Sequence, residues 1–177
     1  MKYTKTKIPG VVVMEFEPLE DERGYFARTW DEKEAGEQSI RLASVQCNTS
    51  VSLKRGTLRG LHYQEKPFEE GKLVRCIRGA IYDVAVDLRR DSASYRQWVS
   101  VELKGGGNRM LYIPEGCAHG FQTLADDTEV LYQMGEYFHP ELARGVRFDD
   151  PAFNIEWPEV DERTMSEKDR SYPDWVV

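Results

Sequence analysis

The sequence predicts an all-β fold, in which many short strands form a sandwich or barrel and short helices lie at its periphery. Three observations support this prediction. From Gly56 onward, short apolar runs follow one another at even spacing. Glycine-rich turns such as 104–108 separate these runs, and almost no segment has helical periodicity. Because the chain lacks linkers, low-complexity tracts and internal repeats, we expect a single domain over residues 1–177.

The first half of the chain carries fewer strand signals than the second. We predict two strands, a short helix and a third strand at residues 11–16, 25–30, 31–38 and 44–52. Residues 21–24 have the composition of a turn between the first two strands. Asp31 can cap the helix, and Gly36 limits its length.

The second half is predicted to consist mainly of strands, at residues 72–77, 81–88, 95–103, 109–113, 120–124 and 129–134. In the second of these, Val84 and Val86 point to one face, and Asp83 and Ala85 point to the other. The final stretch, 148–177, is irregular and rich in proline and tryptophan. We expect it to pack over the barrel.

Composition excludes several classes of function. The net charge of −7 makes the chain a poor binder of duplex nucleic acid or of an anionic membrane. No apolar run approaches the ~20 residues of a membrane span, and the basic start at residues 1–9 lacks the apolar stretch of a signal peptide. The three cysteines form no Cys-x-x-Cys pair. We therefore expect buried thiols in a reduced cytoplasm.

Residues 58–79 concentrate the chemistry that the sequence offers. His62 lies there among arginines and Lys72, without an acidic run or a second histidine nearby. A base beside cations suits the removal of a proton from carbon, since negative charge then develops on an oxygen that must be stabilised. The sequence thus predicts a pocket built around His62 and Lys72.

Two spacings resemble the motifs of the cupin family, a double-stranded β-helix that forms a jelly-roll barrel. In the first, five residues separate Gly56 from His62, and six residues separate Lys72 from Gly79. In the second, residues 114–119 read Pro-x-Gly-x-x-His. The resemblance implies a cupin-like scaffold.

The metal ligands of that family are incomplete in this chain. Gln64 stands where the second histidine of the first motif would be, and Lys72 stands where its glutamate would be. An ammonium at this position would repel a divalent metal, and glutamine is a poor transition-metal ligand. We expect no metal and no other cofactor, with Lys72 supplying the positive charge for an oxyanion.

Longer matches run in order along nearly the whole chain. They lie at residues 21–26, 59–64, 71–75, 83–89, 113–116, 118–121, 155–158 and 166–169. Together they resemble the dTDP-4-dehydrorhamnose 3,5-epimerase family, cofactor-free enzymes of rhamnose synthesis. The resemblance implies a dTDP-linked 4-keto-6-deoxyhexose as substrate. Its ketone acidifies the hydrogens at C3 and C5, and removal of one gives an enolate that is reprotonated on the other face.

The resemblance also implies four catalytic residues. His62 matches the general base, and Asp169 matches the aspartate that orients it. Because 166–169 also fits an N-terminal capping box, the alternative for Asp169 is a purely structural role. Tyr132 matches the proton donor on the opposite face of the sugar, and Lys72 matches the residue that holds the enolate oxygen.

The expected substrate-binding residues are more numerous. They are Arg23, Phe26, Gln46, Asn48, Arg59, Asp83, His119, Phe121, Phe138 and Lys168. Arg23 and Arg59 match ligands of the diphosphate, for which the planar fork of arginine is suited. Phe138 matches an aromatic ring that stacks on thymine. The family is a homodimer in which residues such as Arg23 reach the partner's pocket, so we expect a homodimer here.

The chain departs from the family pattern at several positions. Arg28 and Ala143 stand where the family usually has glutamates, and Glu141 could replace the second only if its loop shifted. Cys47 replaces an acidic residue, and Gln133 replaces a basic one. The two lost glutamates bear on recognition of the nucleotide or sugar and not on proton transfer.

Four functions therefore stay open from the sequence. The first is a 3,5-epimerase of a dTDP-4-keto-6-deoxyhexose. The second is an epimerase that inverts C3 only, or that acts on a CDP- or GDP-linked 4-ketosugar. The third is a non-catalytic nucleotide-sugar binding module, and the fourth is a metal-dependent cupin oxygenase.

Overall fold

Two antiparallel sheets stacked face to face form the body of the protein. The computed structural model describes residues 1–176. Their strands are β1 (Lys2–Lys5), β2 (Val12–Glu15), β3 (Leu19–Asp21), β4 (Gly24–Phe26), β5 (Gln46–Ser52), β6 (Leu58–Gln64), β7 (Lys72–Arg78), β8 (Ala80–Asp87), β9 (Trp98–Lys104), β10 (Arg109–Ile113), β11 (Cys117–Thr123), β12 (Thr128–Met134) and β13 (Ala143–Gly145). The two helices are α1 (Glu32–Glu37) and α2 (Glu167–Arg170).

The strands alternate between the sheets in the manner of a jelly roll. One sheet has the order β1-β2-β10-β7-β12-β5, and the other has the order β13-β6-β11-β8-β9. Strands β3 and β4 form a separate hairpin. The predicted all-β, cupin-like barrel with short peripheral helices is confirmed.

The core lies between the two inner faces. Val74, Leu111 and Val130 of the six-stranded sheet pack against Ile81 and Phe121 of the five-stranded sheet, all almost completely buried. This apolar layer fills one end of the sandwich. The polar side chains of the same inner faces collect around a cavity between the sheets.

Each outer face is covered by a different part of the chain. Segments around α1 supply Ala35, Ile40 and Leu42 to a cluster on the six-stranded sheet. Phe153 and Trp175 of the C-terminal region pack on the five-stranded sheet. The predicted covering of the barrel by the last stretch is therefore observed for its described residues.

Several predicted element boundaries differ from the observed ones, and two differences have a clear cause. The strand predicted over 25–30 ends at Phe26, because Asp31 accepts a hydrogen bond from the Glu34 backbone N–H and the chain turns into the N-terminus of α1. The strand predicted over 95–103 begins at Trp98, because Arg96 has a φ of 65° and cannot continue a ladder.

Asp87 anchors the loop before β9. Its carboxylate is fully buried and accepts hydrogen bonds from Arg89 Nε at 2.8 Å and from the hydroxyls of Ser92 and Ser94 at 2.6 Å each. Burial alone would raise the pKa of Asp87, but these hydrogen bonds outweigh it and lower the pKa to about 2.

We expect this carboxylate to make the stability of the fold depend on acid pH. The unfolded pKa is about 3.9, so its contribution is complete above that pH and is lost as the pH falls from about 4 to about 2. Chemical denaturation across this range should show Asp87→Asn to be less acid-sensitive than the wild type, by about 2 kcal/mol. Parallel pH profiles for the two proteins would contradict this account.

Candidate active site

An open cavity of about 800 Å³ lies between the two sheets at their polar end. Its wall includes ten of the residues predicted from the sequence, from both sheets and the C-terminal segment: Asn48, Arg59, His62, Lys72, His119, Phe121, Tyr132, Phe138, Lys168 and Asp169. The fold thus brings predicted residues from distant parts of the sequence to one cavity.

His62 lies on β6, where the backbone approaches β11 unusually closely. Gly60 has a φ of 120°, and a Cβ at that residue would lie 2.6 Å from the Cα of Gly120. Only glycine permits this approach. Two residues further along, His62 faces His119 across the ladder, with Leu61 turned to the outer cluster. The histidine therefore points into the cavity, with 46 % of its side chain exposed.

Asp169 binds the imidazole of His62. Its Oδ1 lies 2.7 Å from His62 Nε2, and its Oδ2 accepts a hydrogen bond from the Gly60 backbone N–H at 3.2 Å. Burial raises the pKa of Asp169, but the contacts with His62, Gly60 and Ser166 lower it by more, so that the net shift is downward. The carboxylate is thus held ionised beside the imidazole.

Both sequence-based interpretations of Asp169 describe part of what is observed. Ser166 caps α2 by accepting a hydrogen bond from the Asp169 backbone N–H at 3.1 Å. The Asp169 side chain does not complete the capping box, because it turns to His62 instead. The Ser166 cap positions the backbone of α2, and the Asp169 side chain binds His62 at the cavity wall.

A second histidine–carboxylate pair lies deeper in the wall. His119 Nε2 is 2.7 Å from Asp83 Oδ1, and both side chains are almost completely buried. Asp83 itself does not line the cavity but supports His119 from behind. Asp83 therefore pairs with His119, whereas Lys72 pairs elsewhere.

Lys72 instead pairs with Glu70, a residue that the sequence analysis missed. The ammonium lies 2.8 Å from Glu70 Oε1, and only 4 % of the lysine side chain and 9 % of the glutamate side chain are exposed. Both line the cavity. The only sequence signal was an acidic side chain two residues before Lys72, at the start of β7.

Tyr132 reaches the cavity from β12, in the sheet opposite His62. Its hydroxyl lies 3.1 Å from the hydroxyl of Ser50, a residue that the sequence analysis also missed. Burial raises the pKa of Tyr132 above its usual range, and the hydrogen bond from Ser50 partly offsets this effect. The edge of the ring packs near His119, with 6.1 Å between ring centroids.

The mouth of the cavity carries positive charge. Arg59 is held by the Ser52 hydroxyl and the Val51 carbonyl at 3.1 and 3.0 Å. Lys168 joins it on the cavity wall. These two cations make the mouth suited to an anionic group such as a phosphate.

Phe138 lies at the same opening with 61 % of its surface exposed, so that an aromatic face is available for stacking. Gln46 acts behind it, because its Oε1 accepts a hydrogen bond from the Phe138 backbone N–H at 2.8 Å. Gln46 therefore supports the aromatic ring and does not line the cavity.

Arg23 and Phe26 do not lie in this chain's cavity. They belong to the β3–β4 hairpin, where 84 % of the Arg23 side chain is exposed and Phe26 is 69 % exposed. Arg23 contacts only Asp21 of the same hairpin among the described residues. The hairpin thus projects a cation and an apolar ring outward.

The positions that depart from the family pattern fall in different places. Arg28 pairs with Asp31 on the surface at 3.0 Å. Ala143 does line the cavity, on β13. Glu141 does not replace the missing carboxylate there, because it is 65 % exposed and contacts His139. The cavity therefore has less negative charge beside β13 than the family pattern implies.

The residues at the cupin metal positions do not fit a metal ion. The Gln64 amide donates to the carbonyls of Phe68 and Tyr137 and accepts from the His139 N–H. Lys72 supplies an ammonium, which repels a cation. Within residues 1–176 no group of three or more His, Cys, Asp or Glu side chains is placed to hold a metal. No helix in this part is long and apolar enough to span a bilayer.

Comparison with known proteins shows one family throughout. A family model described as dTDP-4-dehydrorhamnose 3,5-epimerase matches residues 5–176. The dTDP-4-dehydrorhamnose 3,5-epimerase of Methanothermobacter thermautotrophicus is 47 % identical over 174 residues, which cover 97 % of this chain and 92 % of the relative.

Solved structures show the same fold. A dTDP-4-dehydrorhamnose 3,5-epimerase from Bacillus anthracis, with TDP and PPi bound, has a TM-score of 0.94 and 37 % identity, covering 98 % of this chain and 99 % of that one. An epimerase from Legionella pneumophila, in complex with dTDP-4-keto-L-rhamnose, has a TM-score of 0.91 and 37 % identity, covering 97 % and 90 %.

A further similar structure is a 3'-monoepimerase from Streptomyces bikiniensis in complex with dTDP-quinovose. It has a TM-score of 0.87 and 31 % identity, covering 96 % of this chain and 85 % of that one. The matches in sequence and structure, over nearly the full length, confirm the resemblance and the prediction of a sugar-nucleotide isomerase. The chain belongs to the dTDP-4-dehydrorhamnose 3,5-epimerase family.

Proposed function

We propose that this protein inverts C3 and C5 of dTDP-4-dehydro-6-deoxyglucose to give dTDP-4-dehydrorhamnose. One observation carries the proposal. A carboxylate-held histidine on one sheet and a tyrosine and a lysine on the opposite sheet line the same cavity. A sugar ring between the sheets would have a base on one face and a proton donor on the other, as inversion of a carbon requires.

The mechanism follows from the positions of these groups. His62 takes a proton from a carbon next to the ketone, and the Asp169 carboxylate stabilises the imidazolium that forms. Negative charge then develops on the C4 oxygen as the enolate forms. The Lys72 ammonium, anchored by Glu70 through one hydrogen bond, can donate its other N–H groups to that oxygen. Tyr132 returns a proton from the opposite face at C5, and solvent water that enters the open cavity returns one at C3.

Substrate binding uses the charged and aromatic mouth of the cavity. Arg59 and Lys168 lie where a diphosphate would be neutralised, and the exposed ring of Phe138 can stack on thymine. Asn48 on β5 and Phe121 on β11 line the space left for the sugar, beside His119. The fully buried Asp83 keeps His119 oriented from behind.

A homodimer completes the site in this proposal. The β3–β4 hairpin exposes Arg23 and Phe26 away from its own cavity. A second copy of the chain could receive them at its cavity mouth, where they would add a phosphate ligand and an apolar contact. Cys76 and Cys117 are buried free thiols, as expected, whereas Cys47 is exposed, so the expectation of buried thiols fails for Cys47. Free thiols agree with our proposal of a reduced, cytoplasmic setting.

Inversion at C3 alone is the second candidate. It is favoured by the similarity to a 3'-monoepimerase and by Ala143, which leaves the cavity without the carboxylate that the family pattern implies on β13. The same substitution would also permit a CDP- or GDP-linked ketosugar. These candidates share proton removal by His62 and differ in which carbon is inverted or which nucleotide is bound.

Solvent exchange of the carbon-bound hydrogens tests the function directly. We expect proton NMR of dTDP-4-keto-6-deoxyglucose, incubated with the enzyme in deuterated water, to show deuterium at both C3 and C5. The physical reason is that His62 and Tyr132 exchange their protons with solvent between turnovers. Deuterium at C3 only would select the monoepimerase. No exchange by a protein that still binds dTDP would reject both candidates, and the assay would then use CDP- and GDP-linked ketosugars.

Mixing two inactive variants tests the shared site. Arg23→Ala and His62→Asn are each expected to be nearly inactive as homodimers. Subunit exchange at equal concentrations should restore about a quarter of the wild-type activity, because half of the dimers are mixed and each has one intact site. If native mass spectrometry shows mixed dimers but activity is not restored, Arg23 does not contribute to the partner's site, and the shared-site proposal is contradicted.

A further inference from the structure

We propose that Ser50 positions Tyr132 for proton delivery to C5 and thereby determines whether the enzyme inverts one carbon or two. This inference rests on the proposed function, and it concerns a residue outside the machinery that the sequence resemblance implies. Three features of the structure carry it: the contact between the hydroxyls, the surroundings of the Tyr132 hydroxyl, and the direction in which that hydroxyl must point.

The contact is built into the sheet. Strands β5 and β12 pair antiparallel, with Ser50 opposite Val130 and Tyr132 opposite Asn48. Ser50 and Tyr132 are therefore diagonal neighbours on the inner face, a distance that a long side chain can span. Their hydroxyl oxygens are 3.1 Å apart, and both residues line the cavity.

The rest of the Tyr132 side chain has aromatic and apolar neighbours. The rings of His119 and Phe121 lie 6.1 and 6.5 Å away between centroids, and the apolar core adjoins the tyrosine. In the described chain Ser50 is the one side chain that hydrogen-bonds the phenol oxygen. The negative charge of Asp83 nearby makes loss of the phenol proton harder still.

The direction of proton transfer fixes which hydroxyl is the donor. A phenol has one O–H group, and this group must point at the substrate carbon to which it gives its proton. The phenol oxygen can then only accept from Ser50, so the Ser50 hydroxyl donates. As the proton leaves, the phenolate oxygen of Tyr132 accepts the same hydrogen bond from Ser50. Hydrogen bonds to charged groups are stronger than those to neutral ones. Ser50 therefore assists the step from tyrosine to carbon.

Proton removal at C3 does not use this contact. It depends on His62, which lies on the opposite sheet and is held by Asp169. Loss of the Ser50 hydroxyl should thus slow delivery at C5 and leave exchange at C3 running. The result would be accumulation of the sugar inverted at C3 alone.

The experiment compares Ser50→Ala with wild-type enzyme and follows inversion at each carbon, beside deuterium incorporation, by proton NMR, because inversion at C5 reports delivery from the Tyr132 side. We expect the rate at C5 to fall about 10- to 100-fold, the range of a lost charge-assisted hydrogen bond, while the rate at C3 stays within about threefold. Ser50→Thr keeps a hydroxyl and should restore most of the C5 rate. In a Tyr132→Phe background, Ser50→Ala should have little further effect on C5.

Ser52→Ala is the matched control, since it deletes the same group two residues along the same strand face. Ser52 contacts Arg59 and not Tyr132. Ser52→Ala should raise KM, because Arg59 loses this support, and should leave the ratio of the C5 rate to the C3 rate unchanged. Circular dichroism and thermal unfolding verify that each variant is folded.

Equal losses at C3 and C5 in Ser50→Ala would overturn the inference, as would an unchanged C5 rate or an effect that persists without the Tyr132 hydroxyl. Failure of the proposed function would look different. In that case the wild-type enzyme itself would exchange neither carbon, and the inference would fall with it.

Discussion

The contact between His62 and Asp169 is the interaction on which the site depends. It joins β6, inside the barrel, to a four-residue helix near the C-terminus, across 2.7 Å. A helix this short is not stable by itself. It is held by the Ser166 cap and by a C-terminal segment whose Phe153 and Trp175 pack on the outer face of the sheet. The chain therefore has to complete its fold before the base has its partner.

A carboxylate pairs with each of the two histidines and with the buried lysine that line the cavity. Asp169 holds His62, Asp83 holds His119, and Glu70 holds Lys72. Such pairing reduces the cost of placing charged or polar groups in a partly desolvated wall. Within these pairs only the His62 side chain is exposed to a large extent, so its imidazole is accessible from the cavity while Asp169 stays buried. The cations at the mouth, by contrast, pair with no carboxylate in the described chain and can meet an anionic ligand.

The sequence predicted the architecture well because strand alternation and the Gly-x₅-His and Pro-x-Gly-x-x-His spacings are local signals. It placed His62, Lys72, Tyr132 and Asp169 on one cavity because those positions match a family pattern. It missed Glu70 and Ser50, since their contacts with Lys72 and Tyr132 depend on a loop and on strand pairing that no spacing reveals. Arg23 and Phe26 show the opposite case, where a resemblance names residues that a single chain does not bring to its own cavity.

In the proposed function His62 is the base for both carbons, and hydrogen exchange by His62→Ala in deuterated water tests this most directly. We expect exchange at C3 and at C5 to fall by at least about 10²-fold, while dTDP binding stays close to that of the wild type. His139→Ala, which removes a histidine stacked on Phe68 outside the cavity wall, should exchange normally. Exchange by His62→Ala at the wild-type rate at either carbon would contradict the account.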